Sequence, residues 1–208
     1  TLFGWGYGLL QADLIAPFLL QYFAVAAHGY TRGTWIAPES SYVDRTRQSP
    51  SFATPAGLVA PLYLKWTLVW EDPMAHVLWL GRACPRAWLE EGESIVLDRA
   101  PTAYGRLGMR VVSAIRSRRS LHVNLTIPQA WAFTKGGSYL PPPGGLSVRL
   151  RVPGAQQSIQ KVIMGGKAWA GFNSSGATIE VPASSLATQE IRNRLADVWV
   201  VFGDPLEQ

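Results

Sequence analysis

Near Ala75 the period of the apolar residues changes, and this change limits the possible folds more than any other feature of the sequence. Beyond it, apolar residues recur at every second position. Leu107, Met109, Val111, Ser113 and Ile115 alternate with outward arginines, and after the turn Arg116-Ser-Arg-Arg-Ser120 the residues Leu121, Val123, Leu125 and Ile127 alternate again. Period two belongs to a strand with one face in a core and one in water, so the two runs predict an antiparallel hairpin. Residues 76–81, 94–97, 146–152, 158–164, 177–181 and 198–202 read as further strands, with Glu91-Gly92 and Gly165-Gly166 as turns. Pro141-Pro142-Pro143 forms a rigid loop that no central strand tolerates. Six or more short strands separated by turns predict an antiparallel β-sandwich over residues 75–208.

Before Ala75 the spacing is helical. Residues 9–27 place Leu10, Leu14, Phe18, Tyr22 and Val25 close to one stripe, and Gly29 supplies the stop. The preceding Phe3-Gly4-Trp5-Gly6-Tyr7-Gly8 fits either a tight helix-packing surface or a loop beside a ligand. No strand precedes its glycines, so they make no phosphate-binding fingerprint. Residues 56–70 fit a second helix with Pro61 near its start, and the stretch 66–70 fits a strand equally well. Residues 1–74 thus form a predicted helical domain. The adjacent Glu71 and Asp72 before Pro73 read as a helix-end turn rather than an acid–base pair.

Composition narrows the classes. Hydrophobic content of 48% with 16% charged residues supports a substantial core. The net charge of +5 is carried mostly by arginines, and those in residues 106–119 alternate with apolar positions as the solvated face of a strand does; a nucleic-acid partner is not expected. The apolar run of residues 14–27, broken by Pro17, Gln21 and Tyr22, is too short to span a bilayer. Cys84 is the single cysteine, which excludes an intrachain disulfide and a cysteine-based metal cluster. His76 and His122 each stand alone on predicted strands, so neither a metal nor a cofactor is expected. No Gly-x-Ser-x-Gly elbow occurs. Asn124-Leu-Thr126 and Asn173-Ser-Ser175 are glycosylation-type triplets that permit an extracellular or secreted location. The opening Thr1-Leu2, with neither methionine nor a basic leader, reads as the middle of a longer chain.

The segment from His28 to Asp44 concentrates chemically capable side chains in a predicted loop: His28, Tyr30, Arg32, Trp35, Glu39 and Asp44. Tyr30 and Trp35 can stack on a sugar ring, His28 can hydrogen-bond a hydroxyl, and Arg32 can hold a nearby carboxylate ionised. The plainer alternatives are equally open. Glu39 and Asp44 can pair with Arg32, Arg45 or Arg47 on a solvated loop, Trp35 can fill a core, and His28 can serve as a cap that suits the helix dipole.

A run of helices, the loop Thr31-Arg-Gly-Thr-Trp35-Ile-Ala-Pro-Glu39, another helix and then a sandwich resembles the C-terminal portion of the six-hairpin glycosidases. These are the (α/α)6-toroid enzymes that include α-L-rhamnosidase-like proteins. The sandwich adds to the resemblance through Leu78-Trp-Leu-Gly-Arg-Ala-Cys-Pro-Arg-Ala-Trp-Leu89, Gly92-Glu-Ser-Ile95, Ala100-Pro-Thr-Ala-Tyr-Gly105, the run from Leu146 to Pro153, and that from Ile159 to Lys167. The implied fold class is α+β: the remnant of an α/α toroid, a helical hairpin, followed by an antiparallel β-sandwich. The implied partners are a saccharide and the remainder of the toroid, supplied by a missing N-terminal portion or by another chain. The implied chemistry is inverting hydrolysis with Glu39, four residues after Trp35, as the general base. Ile36-Ala37-Pro38 departs from the tightest form of the family's segment, which leaves Asp44 as the second candidate. The general acid would lie outside this chain. Two other readings stand beside it: a non-catalytic structural or saccharide-binding component of an extracellular assembly, and a free-standing sugar-binding sandwich over residues 75–208.

Overall fold

The helical spacing of the first seventy residues becomes four helices: α1 (Leu2–Gln11), α2 (Ile15–His28), α3 (Thr54–Gly57) and α4 (Val59–Leu68). The computed structural model describes residues 2–31, 33, 36–39, 52–132, 140–154 and 158–203. It is an α+β chain that divides into two units, Thr1–Thr67 and Leu68–Gln208. Among the described residues no helix is long and apolar enough to cross a membrane.

In the first unit, the one helix expected over residues 9–27 is two. Proline has no N–H and fits a helix only in its first turn, so Pro17 requires a helix to begin just before it. The break is closed by Leu14 N–H bonding back to Leu9 O at 2.8 Å, with Asp13 in the left-handed region at φ 57°. Tyr63 of α4, fully buried, sits at the centre of the unit. Its ring lies 5.3 Å from Phe18, 5.6 Å from Trp66 and 6.3 Å from Tyr22, and its hydroxyl accepts from Gln21 Nε2 at 3.0 Å. Burial raises the phenol's pKa above the ordinary tyrosine value.

Tyr63 also explains one of the interleaved glycines. The stretch from Phe3 to Gly8 belongs to α1, and a Cβ added at Gly6 would stand 2.4 Å from Cζ of Tyr63, whereas one at Gly8 would meet nothing within 4 Å. The glycine-rich stretch is therefore a packing surface, and Gly6 is the residue that makes the close approach possible.

The second unit begins where α4 ends. Its strands are β1 (Val69–Glu71), β2 (Leu78–Leu80), β3 (Ser94–Thr102), β4 (Gly105–Ala114), β5 (Ser120–Thr126), β6 (Leu146–Arg149), β7 (Ser158–Met164), β8 (Lys167–Trp169), β9 (Phe172–Asn173), β10 (Thr178–Val181) and β11 (Val198–Gly203). Two short helices, α5 (Ala183–Leu186) and α6 (Gln189–Arg194), precede β11. The strands form a five-stranded sheet in the order β1-β2-β6-β10-β9 and a six-stranded sheet in the order β3-β4-β5-β11-β7-β8. All pairs are antiparallel except β2 with β6, which is parallel.

The alternation read from the sequence is realised in β4. Leu107, Met109 and Val111 are buried, while Arg106 and Arg110 are exposed. These residues share one apolar cluster with Leu121, Val123 and Leu125 of β5, Val198 and Val200 of β11, and Leu78, Leu80, Leu146, Val148, Ile179 and Val181 of the other sheet. The hairpin through residues 116–119 pairs Ala114 with Ser120.

The helix expected over 56–70 stops at Leu68, and β-branched Val69 opens a strand that pairs with Leu80. Glu71 consequently ends β1 opposite Leu78, and Asp72 opens the turn to β2 rather than a helix end. Asp72 Oδ1 accepts from the N–H groups of Met74 and Ala75 at 2.9 and 3.0 Å, and Asp72 Oδ2 lies 4.0 Å from Arg82 Nη1, with both side chains largely buried. Trp79 lies under two guanidiniums, with Arg82 at 4.5 Å and Arg149 at 5.0 Å from its ring centroid.

Gly6→Ala is expected to lose about 1–3 kcal/mol of stability through overpacking against Tyr63. Gly8→Ala is expected to be neutral or to gain up to about 1 kcal/mol, because alanine is the better helix former. Urea unfolding of both variants followed by far-UV circular dichroism measures the contrast, and equal behaviour of the two removes the Gly6–Tyr63 contact as its cause.

Candidate functional site

The loop that follows α2 is anchored by its first aromatic residue. The Tyr30 hydroxyl accepts from Ala60 N–H at 3.0 Å and donates to Gly57 O at 3.0 Å. One phenol thus satisfies an early amide of α4 and the last carbonyl of α3, both of which lack partners within their helices. Further along, Thr31 N–H bonds to Ile36 O at 2.8 Å, Ala53 N–H bonds to Ala37 O at 3.2 Å, and Pro38 bridges Phe52. The hydroxyl of Tyr30 is therefore committed to the backbone, and its ring is half-buried.

Glu39 stands on a bend directly after this bridge and is exposed. An exposed carboxylate is solvated and available to deprotonate water or to accept from a sugar hydroxyl. His28 occupies the last turn of α2 and is also exposed. Arg32, Trp35 and Asp44 lie outside the described residues. Of the loop residues singled out in the sequence, the structure therefore describes His28, Tyr30 and Glu39.

The carboxylates described in the first unit are Asp13 and Glu39. Asp13 precedes α2, whereas Glu39 is held near α3, whose neighbour α4 is tied to the other end of α2 through Tyr30.

Two histidines differ from their expected settings. His76 lies before β2 in a left-handed conformation at φ 53° rather than on a strand. His122 is on β5 as expected but is not isolated. Its ring stacks on Trp199 at 4.5 Å between centroids, and Nε2 lies 2.9 Å from Asp197 Oδ1. The two rings meet because register sets His122 directly opposite Trp199. Nothing in residues 122, 197 and 199 taken singly announces this, since the pairing depends on which strands become neighbours. No group of three His, Cys, Asp or Glu side chains able to hold a metal occurs among the described residues.

Cys84 is buried in the apolar cluster of the sandwich, and its carbonyl accepts from Arg151 Nη1 at 2.9 Å. Burial pushes the thiol up to about 12, with the Arg151 guanidinium opposing this more weakly. Such a thiol is no nucleophile at neutral pH.

Tyr30→Phe keeps the ring and removes the hydroxyl's bonds to the backbone of Ala60, Gly57 and Ala56. The expected loss is about 1–3 kcal/mol, because Ala60 N–H is buried and is left without its acceptor; urea unfolding reads it directly. For Cys84 the sign follows from a folded pKa above the unfolded one. The stabilisation is complete below about pH 8.5 and declines as the unfolded thiol ionises, toward about 12. Between pH 8 and pH 10 the wild type should lose on the order of 1 kcal/mol more than Cys84→Ala, and a thiol reagent at pH 8 should label Cys84 only after unfolding. Rapid labelling of the folded chain would contradict its burial.

Comparison with protein-family models, with curated proteins and with solved structures returns no match to this chain.

Proposed function

We propose that the chain is the C-terminal part of a carbohydrate-active, six-hairpin glycosidase-like protein in which Glu39 is the general base of an inverting hydrolysis. The observation that carries the reading is the apolar surface of the helical unit. Trp5, Leu14, Leu20, Phe23, Ile36, Phe52, Leu58 and Leu64 are all exposed there, Leu20 at 74% and Trp5 at 67%. Scattered exposed apolar residues are ordinary, but a concentration of large ones marks a surface made to be covered. Further helices of the same kind, the remainder of an α/α toroid, are the natural covering. They also supply what Glu39 lacks, a general acid at the proper distance.

In that assembly Glu39 takes a proton from water on one face of the sugar while the acid protonates the leaving oxygen on the other. Arg32 favours the ionised form of the base, Trp35 and the exposed edge of Tyr30 contact the ring, and His28 meets a hydroxyl; Asp44 is the alternative base. A saccharide substrate and the exposed triplet at Asn173 suit an extracellular or secreted setting.

The second reading is a non-catalytic structural or saccharide-binding component. The observation favouring it is the exposure of Glu39, a solvated carboxylate on a bend that suits hydrogen bonding to a sugar hydroxyl without proton transfer.

The test is a glycosidase screen of the protein together with the helices that complete the toroid, using rhamnosides and related glycosides. Glu39→Gln is expected to lower kcat by about 10²–10⁴-fold, with Asp44→Asn as the parallel variant. Undiminished turnover by Glu39→Gln removes the base assignment. Sugar binding without hydrolysis of any glycoside supports the second reading.

A further inference from the structure

We infer that the outer face of the six-stranded sheet carries a subsite for an anionic saccharide unit, built around Gly108. The choice of a saccharide rests on the carbohydrate-active reading above; the charge preference rests on the geometry of this face.

β3 and β4 pair Leu97 with Met109 and Ala100 with Leu107, so Asp98 and Arg99 together stand opposite the single residue Gly108. This is a β-bulge, a device that re-aims side chains, and Arg99 adopts a left-handed φ of 46° in it. Arg106, Gly108 and Arg110 share the outer face of β4, because Leu107, Met109 and Val111 point into the core. The strand therefore presents two arginines about 14 Å apart at Cα, with a residue lacking a side chain between them. On the other side, register sets Thr126 opposite Gly108 and Asn124 opposite Arg110.

The result is a hollow of about 190 Å³ whose lining combines Asp98, Arg99, Arg106, Arg110, Asn124 and Thr126 with apolar side chains, among them the exposed Val96. Arg106 Nη1 donates to Arg99 O at 3.3 Å and ties one wall to the bulge. Asn124 Nδ2 donates to Ala196 O at 2.5 Å, which orients the amide and leaves its oxygen as an acceptor.

Three guanidiniums against one carboxylate favour an anion, and guanidinium forks match the oxygens of a carboxylate or sulfate. Asp98, Asn124 Oδ1 and Thr126 are partners for hydroxyl groups. A sugar bearing a carboxylate or a sulfate ester engages both sets, whereas a neutral sugar leaves the arginines unused. The hollow is smaller than the ~300 Å³ lower bound of sites that enclose a drug-sized ligand, so it takes one charged unit at a time. A nucleic-acid backbone fits less well. The basic groups surround a pocket instead of lining a track, and Asp98 and Asp197 interrupt the positive charge on the same face.

The experiment titrates the full chain with a uronic-acid hexasaccharide, a sulfated hexasaccharide, a neutral hexasaccharide and polyphosphate, at fixed salt, by calorimetry. One or both anionic sugars should bind, and which one does identifies the group. The Arg106→Gln/Arg110→Gln double variant should weaken that binding at least about tenfold. Arg118→Gln, an exposed turn arginine outside the hollow, should change it less than about twofold, and near-UV circular dichroism checks that each variant is folded. No binding of either anionic sugar, equal loss with Arg118→Gln, or binding of polyphosphate as strong as that of the sugars overturns the subsite. The two proposals fail separately: turnover of Glu39→Gln in the glycosidase screen tests the base, whereas this titration of the Arg106→Gln/Arg110→Gln variant tests the subsite, so either can stand if the other fails.

Discussion

Burial of one continuous apolar cluster between the two sheets is the interaction on which the rest of the sandwich depends. Leu78, Leu80, Leu146 and Val148 of one sheet meet Leu107, Val123, Val198 and Val200 of the other, all at 1% exposure or less. Each such side chain contributes about 1.5–3 kcal/mol on burial, and ordering the chain offsets most of the total. The cluster also fixes register. Sliding β4 by one residue would turn Leu107, Met109 and Val111 outward and drive Arg106 and Arg110 into the core. The outer face is therefore determined by the inner one, including the arginines around Gly108 and the stack of His122 on Trp199.

The helical unit is organised differently. Its centre is an aromatic cluster about Tyr63 that requires Gly6 on α1 and uses the Tyr30 hydroxyl to hold α3 and α4 together. Large apolar side chains remain exposed outside that centre. Glu39 stands directly after the Pro38–Phe52 bridge of this unit. A general base is of catalytic use only beside an acid, which is why the proposed activity includes further helices.

Polar groups taken out of water are handled locally. Asp72 caps its own turn and faces Arg82, and removing one member of such a buried pair is costly because the other charge stays behind. Arg86 and Arg151 spend their guanidiniums on carbonyls of Val152 and Cys84. Part of the basic excess is therefore structural, while the arginines of β4 face solvent. This separates net charge from ligand preference: the +5 balance says little, and the placement of individual guanidiniums says more.

The sequence by itself determined the sandwich strands with the clearest alternation, because period two and a half-buried strand are the same physical fact. β4, β5, β7 and β11 were legible for that reason, as was the turn of residues 116–119. The helix break at Asp13 was legible in principle from Pro17 but was hidden by the continuous apolar stripe. β1 was missed as a definite strand because Val69 and Trp70 suit a helix end as well as a sheet. β8 and β9, of three and two residues, are too short to carry a period. Only the tertiary structure decided which strands are neighbours. It alone set β2 parallel to β6, brought His122 to Trp199 and Asp197, and placed two residues of β3 against Gly108. The reason is that side-chain periodicity encodes which face of an element is buried, whereas a site depends on which elements that burial brings side by side.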